Sequence, residues 1–110
     1  MTGAFDQYNP IVFGYGTSMQ PTINRGDILI VKPKFLLSPN EISVGDIIGY
    51  RSHDMLIIHR VLETKFLGNE TVYYVKGDNN EYTEGPIHFD SILCKVVGII
   101  QLSKYLAKGD

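Results

Sequence analysis

The chain has 110 residues, a formal net charge of −2 from 10 basic and 12 acidic residues, and a single cysteine. That length suits one domain spanning residues 1–110 and leaves no room for a second, and a near-even charge balance with no run of like charges gives no electrostatic footprint for nucleic acid. A lone Cys94, inside the apolar run Ile92-Leu93-Cys94-Lys95-Val96-Val97, makes no internal disulfide and reads as a small buried hydrophobe.

Met1 to Pro10 has neither a basic head nor an apolar run, and no stretch approaches the roughly 18 apolar residues of a membrane-spanning helix. The chain as it stands is therefore expected to be soluble, with any anchor lying outside it. From Ile11 onward, hydrophobic order is short, β-branched and punctuated by Gly-Asp instead of being spread over helical turns. Strands are predicted over Ile11–Tyr15, Asp27–Lys32, Asp46–Arg51, Leu56–Glu63, Thr71–Lys76 and Ile92–Leu102. Six strands with short connections predict an all-β or β-rich domain, a small antiparallel, partly closed barrel. Helix is expected only as a short turn after Ser18 and another at Ser103–Lys108.

In Asn24-Arg25-Gly26-Asp27 and Val44-Gly45-Asp46 the glycine can take positive φ and the Asp carboxylate can accept turn amides, so Asp27 and Asp46 are read as structural. Three connections are longer: Pro33–Ser43, with the apolar tip Phe35-Leu36-Leu37; Thr64–Glu70; and the polar Asp78–Asp90. The apolar tip either folds back on the barrel or forms a surface for a membrane or a partner. Asn69-Glu70-Thr71 fits the N-glycosylation acceptor pattern, which chains of this length commonly contain by chance.

Chemistry is expected at Gly16-Thr17-Ser18-Met19-Gln20-Pro21-Thr22. Glycine permits backbone angles closed to other residues, and Pro21 fixes its own φ and biases Gln20 away from the helical region, so Ser18 is presented on a bent backbone. A serine hydroxyl needs a base. Of the three histidines, His53 and His88 lie in polar surroundings, whereas His59 interrupts the apolar run Leu56-Ile57-Ile58-His59-Arg60-Val61-Leu62 on the face shared by Ile57 and Val61. It is either a satisfied core histidine or a general base. An acid that accepts from its imidazole N–H would fix its tautomer, and the acids near a strand end are Asp78, Glu81, Glu84 and Asp90, of which Asp78 follows the strand Thr71–Lys76 expected to pair with the His59 strand.

Ser18-Met19-Gln20-Pro21-Thr22 followed by Gly26-Asp27, then Ile58-His59-Arg60-Val61, then Lys76-Gly77-Asp78-Asn79-Asn80, resembles the type I signal peptidases of the archaeal and endoplasmic-reticulum kind, from about Tyr15 to Gly98. Self-cleaving domains of phage-type repressors share the Ser-Met-x-Pro element, but they and the bacterial signal peptidases use a lysine base, so His59 is the discriminating residue. The resemblance implies a serine endopeptidase that removes signal peptides from preproteins after small residues. It further implies a membrane-associated enzyme with its catalytic domain on the extracytoplasmic side, and calls for no cofactor or metal. By the same carry-over Ser18 is the nucleophile and His59 the general base.

Family members have an acid at the position of Asp78 and a second aspartate about six residues on, where this chain has Glu84. Relatives commonly have an assisting serine where this chain has Gly16, so the oxyanion donors expected here are the Ser18 N–H and the Thr17 hydroxyl. The substrate is expected to lie extended, as a strand added between Phe13–Thr17 and Met55–Ile58. Phe13, Tyr15, Gly16, Met19, Leu56, Ile57 and Ile58 would line its site; ordinary core packing is the other account of the apolar ones. Two further classes remain open: a self-cleaving regulatory domain, for which Lys76 is the nearest candidate base, and a non-catalytic binding module on the same fold.

Overall fold

Valine, isoleucine and tyrosine, whose branched or flat side chains suit a pleated surface, fill seven strands in the computed structural model, which describes residues 9–106. The strands are β1 (Ile11–Phe13), β2 (Ile28–Pro33), β3 (Ile47–Ser52), β4 (Met55–Leu67), β5 (Glu70–Lys76), β6 (Glu84–His88) and β7 (Ile92–Ile100), with one short helix, α1 (Ser103–Leu106). All neighbours run antiparallel in one open sheet of order β1-β2-β7-β3-β4-β5-β6. The β-rich, incompletely closed architecture expected from the sequence is present. The part of the Ser103–Lys108 turn beyond residue 106 lies outside the described residues.

Two connections differ from expectation. The strand predicted to stop at Glu63 continues to Leu67, and β5 begins at Glu70, so the expected Thr64–Glu70 loop shrinks to a two-residue Gly68-Asn69 turn, with Gly68 at φ +63°. A two-residue hairpin favours positive φ, which glycine takes without steric cost. The second difference is β6, which lies inside what reads as a polar loop. Glu84-Gly85-Pro86-Ile87-His88 shows no alternation and contains a proline, which removes a ladder donor and is tolerated only at a sheet edge. β6 occupies that edge, pairing Val72 with His88, Tyr73 with Ile87 and Val75 with Glu84. Its return path carries Glu84 back toward the middle of the molecule.

The sheet buries apolar residues on both faces. One cluster gathers Val12, Met19, Ile23, Leu29, Val31, Ile47, Leu56 and Cys94. The other gathers Ile42, Ile48, Tyr50, Val61, Tyr73, Val75 and Ile92. This explains why Ile47-Ile48-Gly49-Tyr50 is buried without a break: successive side chains point to opposite faces, and each face has a core. Gly49 of β3 lies opposite Cys94 of β7, and a Cβ there would lie 2.6 Å from Cys94 Sγ and 3.0 Å from both Ile58 Cδ1 and Leu56 Cδ1. Gly49→Ala is therefore expected to overpack the centre by about 1–3 kcal/mol and lower the thermal midpoint by several degrees in a melting experiment.

Both Gly-Asp turns are built as expected. Asp27, fully buried, accepts the N–H groups of Asn24 at 2.8 Å and Ser103 at 2.9 Å, and Asp46 accepts the N–H of Ser43 at 2.8 Å. Cys94 is fully buried, and that burial pushes its thiol up to about 12. Phe35 and Leu36, on a single 3₁₀ turn, remain mostly exposed. Among the described residues, no helix is long and apolar enough to cross a membrane.

Candidate active site

The Ser18 turn begins where β1 ends. Gly16 stands at φ +77°, which a residue with a Cβ adopts only under strain, and hydrogen bonds from Gln20 N–H to Thr17 O and from Ile23 N–H to Met19 O curl the chain over residues 17–23. Met19 and Ile23 anchor this turn in the first core, and Ser18 is left half-buried beside a cleft of about 350 Å³.

The loop after β5 clamps the turn from the other side. Asn79 donates its N–H to Ser18 O at 2.8 Å and its side-chain amide to Thr17 O at 3.1 Å, while Asp78 N–H points at Met19 Sδ, 3.3 Å away. Gly77 makes this approach possible, since a Cβ there would stand 2.6 Å from Ser18 O. Because N–H and C=O of a trans peptide point in opposite directions, the bond accepted by Thr17 O turns the Ser18 N–H away from this loop.

Asp78 does not hydrogen-bond to His59. Its carboxylate takes a bidentate pair from Arg60, with Nε to Oδ1 and Nη2 to Oδ2 both at 2.9 Å, and the Thr22 hydroxyl at 2.6 Å. Alternation along β4 gives the physical reason: Arg60 and His59 are neighbours and point to opposite faces, and a guanidinium fork matches a carboxylate better than one imidazole N–H does. The Arg60 bonds hold the Asp78 carboxyl below the usual carboxylate range, with the Thr22 hydroxyl adding to the effect. Asp78 thus joins the Ser18 turn, through Thr22, to the strand that carries His59.

His59 is buried, 4% exposed, on the face of β4 shared with Ile57 and Val61. Its Nδ1 lies 3.0 Å from the Tyr50 hydroxyl, which also reaches Glu84 Oε2 at 3.3 Å; Glu84 Oε1 is 3.7 Å from Nδ1. Burial lowers the imidazole pKa from its ordinary 6.5, and the Glu84 and Asp78 carboxylates pull it partly back up. Among the described residues, Nε2 has no hydrogen-bond partner in the protein.

Ser18, Thr17, His59 and Glu84 line the same cleft, as do Phe13, Tyr15, Gly16, Met19, Leu56, Ile57 and Ile58, whereas Asp78 stands behind it. Asp90 is exposed, as are His53, in the β3–β4 turn, and His88, which pairs with Glu70. Sequence reasoning missed Tyr50, Asn80 and Tyr82. The β3–β4 register places Ile48 opposite His59 and Tyr50 opposite Ile57, so the Tyr50 hydroxyl shares the histidine's face, which the unbroken buried run around Tyr50 does not reveal in the sequence.

One further property of β4 shapes the cleft. Met55–Arg60 pair with β3, but pairing with β5 begins only at Arg60, so among the described residues Met55–His59 have an unpaired edge. That edge and the Phe13–Thr17 segment border the cleft.

A family model described as Peptidase S24-like matches residues 6–100, and the chain belongs to that family. Among curated proteins it is similar to the signal peptidase complex catalytic subunit sec11 of Sclerotinia sclerotiorum, at 34% identity over 94% of this chain and 64% of the relative. The corresponding subunit of Zygosaccharomyces rouxii is 37% identical over 77% of this chain and 50% of its own length, and that of Chaetomium globosum 36% identical over 68% and 44%. The chain therefore spans 44–64% of the length of these relatives, less than two thirds of each, and the resemblance read from its motifs stands.

Proposed function

We propose that the chain carries the catalytic site of a serine endopeptidase that cleaves signal peptides from preproteins after small residues, acting at a membrane surface from its extracytoplasmic side. The observation that carries this reading is the single cleft that holds Ser18, His59 and an unpaired strand edge together. An extended substrate adds a strand along Met55–Ile58, with its far side against Phe13–Thr17, so main-chain bonds hold it and the apolar walls sort its side chains. His59 Nε2 takes the Ser18 proton as Oγ attacks the scissile carbonyl. The same proton goes to the leaving amine, and water then releases the acyl group from Ser18. The Ser18 N–H, turned away from the clamp, and the Thr17 hydroxyl are the donors for the developing oxyanion. The names of the curated relatives support the substrate class.

Incubation with a peptide spanning a signal-sequence cleavage site, read by mass spectrometry, is expected to give one cut after a small residue. Intact mass of the protein itself should stay constant at alkaline pH; a cut in its own chain would favour the self-cleaving reading. The base must be neutral, so activity falls as pH drops through the His59 pKa. Since burial holds that pKa down, the acidic limb of kcat/KM is expected below pH 6.5. Glu84→Gln removes a negative charge that favours the imidazolium and should move the limb lower still; a limb moved upward would contradict this assignment.

A further inference from the structure

The hydrogen on the Tyr50 hydroxyl decides which nitrogen of His59 is available for chemistry. Tyr50 Oη lies 3.0 Å from His59 Nδ1 and 3.3 Å from Glu84 Oε2, whereas Glu84 itself is 3.7 Å from Nδ1, too far for a hydrogen bond. One hydroxyl therefore stands between acid and imidazole.

A tyrosine hydroxyl has a single hydrogen, and an ionised carboxylate only accepts. If that hydrogen pointed at Nδ1, the lone pairs of Oη would face Oε2 with no proton between two electron-rich oxygens. Pointed at Oε2, it makes a charge-assisted bond and frees the Oη lone pairs to accept Nδ1–H. Packing holds both rings in place for this arrangement: Tyr50 is 1% exposed, and its ring meets the His59 ring edge-on, with centroids 5.9 Å apart and planes at 63°.

On the reading of Ser18 and His59 given above, the geometry points to Tyr50 as a positioning residue that accepts Nδ1–H of His59, couples it to Glu84, and leaves the Nε2 lone pair to take the Ser18 proton. The proton inventory is simple. One proton moves from Ser18 Oγ to Nε2 and on to the leaving amine, while the protons on Nδ1 and Tyr50 stay where they are. Tyr50 keeps its proton because burial, and then the Glu84 charge, raise its pKa well above the ordinary phenol value. When His59 becomes an imidazolium, the groups facing it are Tyr50 from β3 and Glu84 from β6, while the Asp78 carboxylate, on the opposite face, adds only its charge at longer range, so the Glu84 charge acts through the oriented hydroxyl.

Long-range ¹H–¹⁵N NMR of the histidine ring, recorded above the His59 pKa in a Ser18→Ala background, tests this without needing turnover. The expected result is His59 protonated at Nδ1 and bare at Nε2. Tyr50→Phe keeps the ring and removes the hydroxyl, and should give mixed tautomers. In the otherwise native protein it should lower kcat about 10- to 100-fold with little change in KM, the range found when an outer partner that orients a metal-ligating histidine is removed. Tyr50→Phe combined with Glu84→Gln should cost no more than the worse single change. A ring protonated at Nε2 in the Ser18→Ala protein overturns the proposal, as does a Tyr50→Phe protein with the parent tautomer and rate. If Tyr50→Phe does not fold, the parent tautomer decides alone. Full cleavage by Ser18→Ala would overturn the Ser-His reading instead, and leave the tautomer result standing.

Discussion

Replacing Ser18 by alanine is expected to lower kcat for a signal-peptide substrate by about 10⁴–10⁶ and to leave the thermal midpoint nearly unchanged. The two halves of this expectation have separate causes. On the proposed reading, activity goes because alanine has no oxygen with which to attack the scissile carbonyl. Stability stays because this turn is held by hydrogen bonds accepted by the main-chain oxygens of Thr17 and Ser18, by the Thr22 hydroxyl, and by the packing of Met19 and Ile23, none of which uses the Ser18 side chain. A serine-directed acylating probe should label the native protein and spare the variant; no labelling at any pH would favour a binding module without catalysis. His59→Ala should abolish cleavage equally, but here the sequence leads to a different expectation from the structure. Read from sequence alone, this change also leaves the midpoint in place; with His59 buried against Tyr50, it opens a void and strands a hydroxyl, a loss of about 2–3 kcal/mol. Wild-type-like turnover in either variant would remove the Ser-His site.

Gly77→Ala is expected to cost about 100-fold in kcat/KM although Gly77 touches no substrate. Its added Cβ would meet Ser18 O at 2.6 Å and the Asn80 side-chain nitrogen at 2.7 Å. The amide can swing away, but the carbonyl is main chain, and moving it moves the nucleophile relative to His59. The Asn79 N–H bond to Ser18 O should weaken with it. An unchanged rate, measured beside a melting curve that shows the variant folded, would mean the clamp does not set the position of Ser18.

Much of this site was legible before the fold was known, for a specific reason. Catalytic candidates break local patterns: His59 interrupts an apolar strand, and Gly16 precedes a serine in a segment that cannot be regular. The residues that line the cleft were legible because two short segments bound it. The acid was not. Whether a carboxylate reaches an imidazole depends on which way neighbouring side chains alternate, and Arg60, adjacent to His59, captured Asp78 on the opposite face. Glu84 arrives by way of β6, an edge strand whose glycine and proline conceal it from any periodicity argument. Tyr50 lay inside an unbroken buried run, which hides face assignment because both faces of the sheet are covered.

On the strand-addition reading proposed above, the unpaired edge at Met55–His59 also imposes a choice on the protein's targets. A gap that admits one strand accepts a peptide only while its own amides and carbonyls are free to pair, so a segment already committed to a helix, a sheet or a folded core is refused whatever its sequence. Conformation is thus screened before side chains are. On that reading susceptibility belongs to the interval in which a polypeptide is still unfolded, and a finished protein would pass the cleft untouched even if it carried a suitable cleavage sequence.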